Sequence, residues 1–491
     1  MSEVRFVSDI GDLDSVQTLV CIGRAADLAN GWPFDGLGED VAAYGARLAN
    51  DARPGRLGGA AKTLLPASAN GGPEKLVVIA LHDDLSRHLS PTHSYEIYSG
   101  LRGVVGGNGK TFGVVVALSD ASHAFGAALG IARSFPLYSR KTSDNGKESG
   151  ESQATVVLRT REGGAGDLAD MARGSAAVRL AQRVVDMPPA ELTTAVFEEE
   201  ARDAVDGMTD VTVSSIVGDD LLNEGLRGLH AVGRTAMVAP RVVILDYNPA
   251  GATETVALIG KGLVYDTGGL SLKIVGDRML TMKCDMGGAA AVLGAFKLLA
   301  GRQGGKRVVA ALSMAENAIG PDSYRPDDII EMHSGKTVEI NNTDAEGRLA
   351  LADAASYVAR KYNPSVLIDA ATLTGAQLIA TGKNHAGIVS NGGDLEALAI
   401  QSGHESGDHC LAMLWSPELL RAEFKSKVAD MRNSVADRMN ASSAAAGLFV
   451  YSHIEDLDLR WLHIDLAGPA FPDDRATGYG VGLIATVVDG L

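Results

Sequence analysis

Residues 256–273 read VALIGKGLVYDTGGLSLK, an apolar run that carries Lys261 and opens into a turn holding Asp266, Gly268, Gly269 and Lys273. A run this continuously apolar suits a strand covered on both faces, as in parallel sheets flanked by helices. The same order recurs downstream in RVVAALSMAE (307–316), in TVEI ahead of NNTDAEG (337–347) and in VLIDAATLTG (366–375), while RLALADAASYVARKY (348–362) has helical spacing. The pattern predicts an α/β domain around a central mixed, mostly parallel sheet with helices on both faces. Ligands of such sheets gather at the carboxyl ends of the strands, where the turn after Asp266 lies.

Upstream, LVVIAL (76–81), TFGVVVAL (111–118) and ASHAFGAALGIARSF (121–135) alternate strand and helix patterns. They indicate a second α/β domain, of three-layer type. Two domains are also what length demands, because 491 residues exceed the ~250–300 at which one core stops growing. The polar stretch KTSDNGKESGESQ (141–153) marks an exposed loop near the boundary, so the domains are set at 1–171 and 172–491. No short-period repeat interrupts this organisation.

A net charge of -17 works against nucleic acid and anionic lipid as partners, since both are bound by displacing counterions with Lys and Arg. The start, MSEVRFVSDIGDLDS, lacks a basic segment followed by an apolar core, and no apolar run is read as reaching the ~18–20 residues of a membrane span. The three cysteines, Cys21, Cys284 and Cys410, are far apart and supply neither a disulfide framework nor a thiolate zinc site. A cytoplasmic protein with reduced thiols is expected.

The chemistry concentrates in three segments. GKGLVYDTGGLSLK (260–273) brings Lys261, Asp266 and Lys273; MKCDMGGAAAVLGAFKLLAG (282–301) places Asp285 at the mouth of a helix, beside the positive end of its dipole. In NNTDAEGRLALAD (341–353), Asp344, Glu346 and Arg348 occupy alternate positions, which point the same way if the segment is extended. Folded onto neighbouring strand ends, Asp266, Asp285, Asp344 and Glu346 would share one pocket, each close pair costing roughly 4 kcal/mol at an effective dielectric near 20. Two divalent cations would balance four carboxylates, and oxygen ligands suit Zn²⁺, Mn²⁺ or Mg²⁺. A lysine joins such a cage only as the neutral amine, so Lys261 would need a strongly lowered pKa, which adjacent cations provide.

Other features carry less. GKGLVYDTGG lacks the GxxxxGK[ST] spacing of a phosphate loop, and GVVGGNG (103–109) is followed by a strand pattern where a nucleotide-binding loop needs a helix. His463, in an alternating strand pattern, reads as a packed histidine and not a ligand. Glu198 to Glu200 read as a solvated helix face.

The segments GKGLVYDTGGLSLK, MKCDMGGAAAVLG and NNTDAEGRLALAD resemble the signature segments of the leucyl aminopeptidase family, the hexameric M17 metallopeptidases, with NTDAEGRL (342–349) the most specific. IDAATLTGA (368–376), SKVADMRN (426–433) and WLHIDLAG (461–468) are similar to that family as well, so the likeness covers roughly 172–491. It implies that Lys261, Asp266, Asp285 and Glu346 hold one metal and that Asp266, Asp344 and Glu346 hold a more exchangeable one, with Zn²⁺, Mn²⁺, Mg²⁺ or Co²⁺ as occupants. Lys273 would then polarise the scissile carbonyl, and Arg348 would position a bicarbonate ion acting as general base. The resemblance also implies a homohexamer, with residues 1–171 making oligomer contacts, and peptides with a free N-terminus, preferably leucine or another apolar residue, as substrates.

The sequence departs from the family at three places. The interval from Lys273 to Asp285 is one residue longer, PPAELTT (188–194) replaces a PPNxLTP-like segment, and Gly482 stands where a basic residue is expected. Met282 resembles a residue lining the pocket for the first side chain, or else fills the core. Two rival readings are a two-metal hydrolase of another amide, such as a cysteinylglycine conjugate, and a non-catalytic assembly or DNA-binding member; the seven retained site residues and the negative charge weigh against the latter.

Overall fold

The computed structural model describes residues 3–31, 33–54, 59–66, 72–105, 110–142, 152–273 and 279–491. The chain divides into two compact units: Met1–Arg179 with Ser402–His409, and Leu180–Gln401 with Cys410–Leu491. Both this division, at 179/180, and a break after residue 171 fall inside the continuous helix Leu168–Asp186. Most of the loop expected at 141–153, and part of 103–109, lie outside the described residues.

The first unit is built on a sheet ordered Val4–Phe6, Gln153–Thr160, Thr111–Ala117, Thr18–Arg24, Lys75–Leu81, Gly59–Leu64, parallel along this path except for the antiparallel edge strand Gly59–Leu64. Alternation along its strands sends apolar side chains to both faces. Val20, Ile22, Val77, Ile79, Val114 and Val116 pack with the helices Ser94–Arg102 and Ala124–Arg133. Leu19, Cys21, Leu76, Val78 and Val115 pack with Leu28 and with Val41 and Ala49 of the helix Glu39–Asp51. Helix, sheet and helix make the three layers the sequence suggests.

The second unit holds an eight-stranded sheet ordered Cys410–Ala412, Ala386–Ser390, Arg460–Asp465, Val366–Ala371, Thr255–Asp266, Arg307–Asn317, Arg241–Tyr247, Val211–Val217. Its four central strands are mutually parallel, and antiparallel pairings lie outside them. Ala257 and Ile259 face the helices Glu346–Tyr362 and Ser442–Tyr451. The helix Gly287–Arg302 covers the other face.

Two expectations change here. The stretch Met282–Arg302 is, by length and composition, apolar enough to cross a membrane, but it is mostly buried in this unit, and its small residues serve close packing on the sheet. Glu198 is no solvated helix residue: it is buried, with Oε1 accepting from Arg202 and Oε2 from Arg241 at 2.7 Å. Its neighbour Glu200 pairs with Arg183. A single helix face of charge cannot reveal partners arriving from other elements.

Candidate active site

The long strand Thr255–Asp266 ends at the carboxyl edge of the parallel core, and it carries Lys261 inside and Asp266 at its tip. Asp266 is followed by a tight turn in which Gly268 and Gly269 have φ of 84° and 61°, a region side chains rarely adopt. A Cβ on Gly268 would sit 2.9 Å from Asp344 Oδ1. The turn therefore returns Lys273 to the strand end, where Nζ lies 2.8 Å from Asp266 Oδ2 and 2.5 Å from Asp344 Oδ1.

Asp285 precedes the helix Gly287–Arg302, as expected, and is met by Lys261, whose Nζ lies 2.8 Å from Oδ1 and 2.7 Å from Oδ2. Lys261 also reaches Glu346 Oε1 at 3.0 Å and donates to the Thr372 carbonyl at 3.1 Å. That approach depends on Gly347, where a Cβ would lie 2.4 Å from Lys261 Cε. Atoms of Asp266, Asp344 and Glu346 converge within 4.8 Å of one another, a spacing that one cation could span.

One geometrical expectation fails. Asp344, Glu346 and Arg348 are not an extended alternating run, because the helix begins at Glu346. Two residues along a helix turn the side chain by roughly 200°, so Glu346 and Arg348 leave in different directions. Arg348 is buried and its Nη1 donates to the carbonyl of Asn433 at 2.9 Å, while its Nε has no hydrogen-bond partner among the described residues.

Electrostatics follow from crowding charge into a dry site. Lys261, Asp266, Asp285 and Glu346 are each at most 5% exposed, whereas Asp344 keeps 31% of its side chain open. Burial alone would discharge Lys261, but Asp285, Glu346 and Asp266 outweigh it and hold the ammonium above its ordinary range. With protein charges alone, Lys261 is thus the internal counterion, and the neutral amine requires cations beside it. Lys273 is raised in the same way, burial being overcome by Asp266, Glu346, Asp285 and Asp344. Burial, with neighbouring carboxylates adding to it, pushes Asp266, Asp285 and Asp344 up, while the two lysines outweigh burial at Glu346 and hold it down. Burial brings Arg348 down to about 10.

Sequence reasoning missed the neutral residues that hold these charges in place. Asn317 Nδ2 donates to Asp266 Oδ1 at 2.8 Å and to the Thr343 carbonyl at 3.1 Å. Thr372 Oγ1 donates to Asp285 Oδ1 at 2.9 Å. Thr343 Oγ1 donates to the Gly268 carbonyl, and Asn433 ties Asn341, Asn342 and Arg348 together. Thr343, Thr372 and Asn433 lie in the segments singled out by resemblance, the one signal that could have found them; Asn317 had none. Met282 is partly exposed and so is not a core methionine. Residues 274–278, where the interval to Asp285 is lengthened, lie outside the described residues.

Comparison with known proteins gives a consistent result. Residues 179–485 match the model of the cytosol aminopeptidase family, catalytic domain. The chain is 42% identical over 413 residues to the probable aminopeptidase NPEPL1 of Mus musculus, covering 83% of this chain and 78% of that one. It superposes on the apo leucyl aminopeptidase of Trypanosoma cruzi with a TM-score of 0.91 at 36% identity, covering 100% of this chain and 97% of the other. The leucyl aminopeptidase of Trypanosoma brucei in complex with bestatin gives 0.88 at 34% identity, covering 100% and 96%.

Proposed function

Because this chain belongs to the cytosol aminopeptidase (M17) family and is a hydrolase of that type, we propose that it is a metal-dependent aminopeptidase releasing leucine or other apolar N-terminal residues from short peptides. The observation that carries this reading is an uncompensated charge. Four carboxylates, Asp266, Asp285, Asp344 and Glu346, face two ammonium groups, Lys261 and Lys273, so -4 and +2 leave -2 in a largely buried site. Glu346 Oε2 is buried with no hydrogen-bond partner among the described residues. Such an arrangement is costly unless cations arrive, and its oxygen-rich donor set suits Zn²⁺, Mn²⁺, Mg²⁺ or Co²⁺.

Lys261, Asp266, Asp285 and Glu346 would hold one cation, and Asp266, Asp344 and Glu346 a second. When bound, the pair would supply Lewis-acid polarisation of the carbonyl and activation of a nucleophilic water at neutral pH. Lys273 keeps its proton at Nζ, between Asp266 and Asp344, and from there would stabilise negative charge developing on the carbonyl oxygen. Arg348, with Nε unengaged, would position a bicarbonate ion as general base. The bound cations would also take the substrate's free α-amino group, which an internal peptide bond lacks. In line with the family, we place the enzyme in the cytoplasm as a homohexamer with residues 1–171 in oligomer contacts.

The test is hydrolysis of leucine p-nitroanilide by chelator-stripped protein, with Mn²⁺, Zn²⁺ or Co²⁺ restored, beside the N-acetylated compound. Metal-restored cleavage of the free amine alone is expected. Equal cleavage of the acetylated compound would point to another amide hydrolase.

A further inference from the structure

A small sheet of three short strands, Ile329–Glu331, Thr337–Glu339 and Met431–Arg432, has no part in the reaction as proposed, yet it delivers one residue to the edge of the site. Met431–Arg432 runs parallel to Thr337–Glu339, with Met431 opposite Val338 and Arg432 opposite Glu339. Just before this pairing, Asp430 Oδ2 accepts from the backbone N–H and the hydroxyl of Thr337, each at 2.8 Å. Just after it, the Asn433 N–H donates to the Glu339 carbonyl at 3.1 Å. Asn341 and Ser434 then exchange bonds, Ser434 N–H to Asn341 Oδ1 at 2.9 Å and Asn341 Nδ2 to the Ser434 carbonyl at 3.2 Å. The register so fixed brings Asn433, which is 0% exposed, against the loop 341–345 that carries Asp344.

Asn433 meets that loop with both polar atoms of its side chain. Oδ1 accepts from the backbone N–H groups of Asn341 at 2.9 Å and Asn342 at 3.3 Å, while Nδ2 donates to the carbonyls of Asn342 at 2.7 Å and Ala345 at 3.3 Å. Only a neutral amide offers an acceptor and donors together; a carboxylate would turn an oxygen onto the two carbonyls. Asn342 passes the hold on, its Oδ1 accepting from the Asp344 N–H at 3.0 Å. The other carboxylates of the cage are held by different means. Asp266 Oδ1 accepts from Asn317 Nδ2 and from the Gly268 N–H, both at 2.8 Å, and Asp285 Oδ1 accepts from Thr372 Oγ1. Glu346 opens a helix whose next turn, Leu349 to Leu351, is wholly buried.

We propose that Asn433 is a positioning residue for the outer of the two cation positions, the one assigned to Asp266, Asp344 and Glu346: its amide braces the 341–345 loop so that the Asp344 carboxylate stands opposite the other two. The inner position, assigned to Lys261, Asp266, Asp285 and Glu346, does not draw on that loop for a ligand. The inference rests on the two-cation reading of the cage. Ligand atoms of Asp266, Asp344 and Glu346 lie within 4.8 Å of one another, and Asp344, at 31% exposure, is the most open of the four carboxylates, so packing supports it least. A carboxylate on a braced loop is already ordered when it takes a cation, whereas on a loose loop the ordering is charged against binding. The Asn433 backbone carbonyl accepts from Arg348 Nη1 at 2.9 Å, a contact that belongs to the main chain and not to the amide.

The test titrates chelator-stripped protein with Mn²⁺ and follows free and bound ion by electron paramagnetic resonance, for wild type, Asp344→Ala and Asn433→Ala. Two binding steps are expected of wild type, and Asp344→Ala, which removes a ligand of the outer position only, marks the step that belongs to it. Asn433→Ala is expected to weaken that same step about 10–100-fold, as loss of a group behind a metal ligand typically does, and to leave the other step within about threefold. Selectivity is the sign, since a residue that served the fold alone would lower the thermal midpoint and move both steps or neither. A variant that binds both ions as wild type does, or loses both equally, overturns the proposal. Should Asn433→Ala not fold, Asn341→Ala, which removes the bonds to Ser434 from an exposed residue, is expected to weaken the outer step by a smaller factor; an unchanged outer step there overturns the proposal equally. Wild type that binds one ion or none, or an Asp344→Ala that alters neither step, removes the two-cation reading itself and this proposal with it.

Discussion

Both units bring polar residues to the carboxyl edge of a parallel sheet, and they treat them differently. In the first, His82 follows the strand Lys75–Leu81 while His93 and Glu96 open the helix Ser94–Arg102. Glu96 is buried, with one oxygen paired to His82 and the other 2.6 Å from His93 Nδ1. Burial would raise its carboxyl, but the two histidines hold it down. In the second, the carboxylates outnumber their lysines, and Glu346 Oε2, like Arg348 Nε nearby in sequence, is left without a hydrogen bond among the described residues. A cluster that answers its own charges supports a fold, whereas one that leaves charge over is prepared for something that arrives.

That contrast breaks most easily at Glu346. Glu346→Gln should lower kcat/KM for leucine p-nitroanilide by about a thousandfold or more together with bound metal, as loss of a shared ligand requires. Lys273→Ala should lower kcat by about a hundredfold with metal content kept, since its proton is assigned to the developing oxyanion. Equal loss of metal and rate in a titration of the Lys273 variant would end that assignment. Gly347→Ala should cost about 1–3 kcal/mol in urea unfolding, because the new Cβ would meet Lys261 Cε at 2.4 Å.

Polar groups that serve only the fold should register in stability and not in rate. His453, whose Nδ1 lies 2.6 Å from Ser334 Oγ, is held neutral by burial and, less strongly, by Lys336, its pKa pushed down to about 3. A folded value below the unfolded one of about 6.5 means that its stabilisation is complete above pH 6.5 and is lost as pH falls from there towards 3. His453→Gln should therefore remove about 2 kcal/mol of the difference in unfolding free energy between pH 7.5 and pH 5. The smallest effect on catalysis is expected of Glu96→Gln: kcat/KM within about twofold of wild type, with a thermal midpoint lower by a few degrees. A large kinetic defect there would erase the distinction between the two edges.

Much of this was legible before the fold was known, for physical reasons that vary by residue. Lys261, Asp266, Lys273, Asp285, Asp344 and Glu346 stood out because they flank glycine turns and helix starts at strand ends, and the structure brings all six together. Arg348 was legible as a residue but not in its direction, since the helix start at Glu346 turns it towards Asn433. Asn317 and Thr372 were not legible as site residues, because an uncharged side chain shows its role only when its carboxylate is beside it. Glu198, on a helix, was misread for the related reason that Arg241 reaches it from the strand Arg241–Tyr247.

Every role proposed for the site depends on metal bound by the carboxylate cage. The direct measurement is metal content by mass spectrometry after chelator-stripped protein is loaded with Mn²⁺ or Zn²⁺ and freed of excess, for wild type, Glu96→Gln and Asp266→Ala. About two ions per chain are expected in the first two and close to none in Asp266→Ala, where both proposed positions lose a ligand. Wild type that retains no metal, or Asp266→Ala that retains as much as wild type, would contradict it.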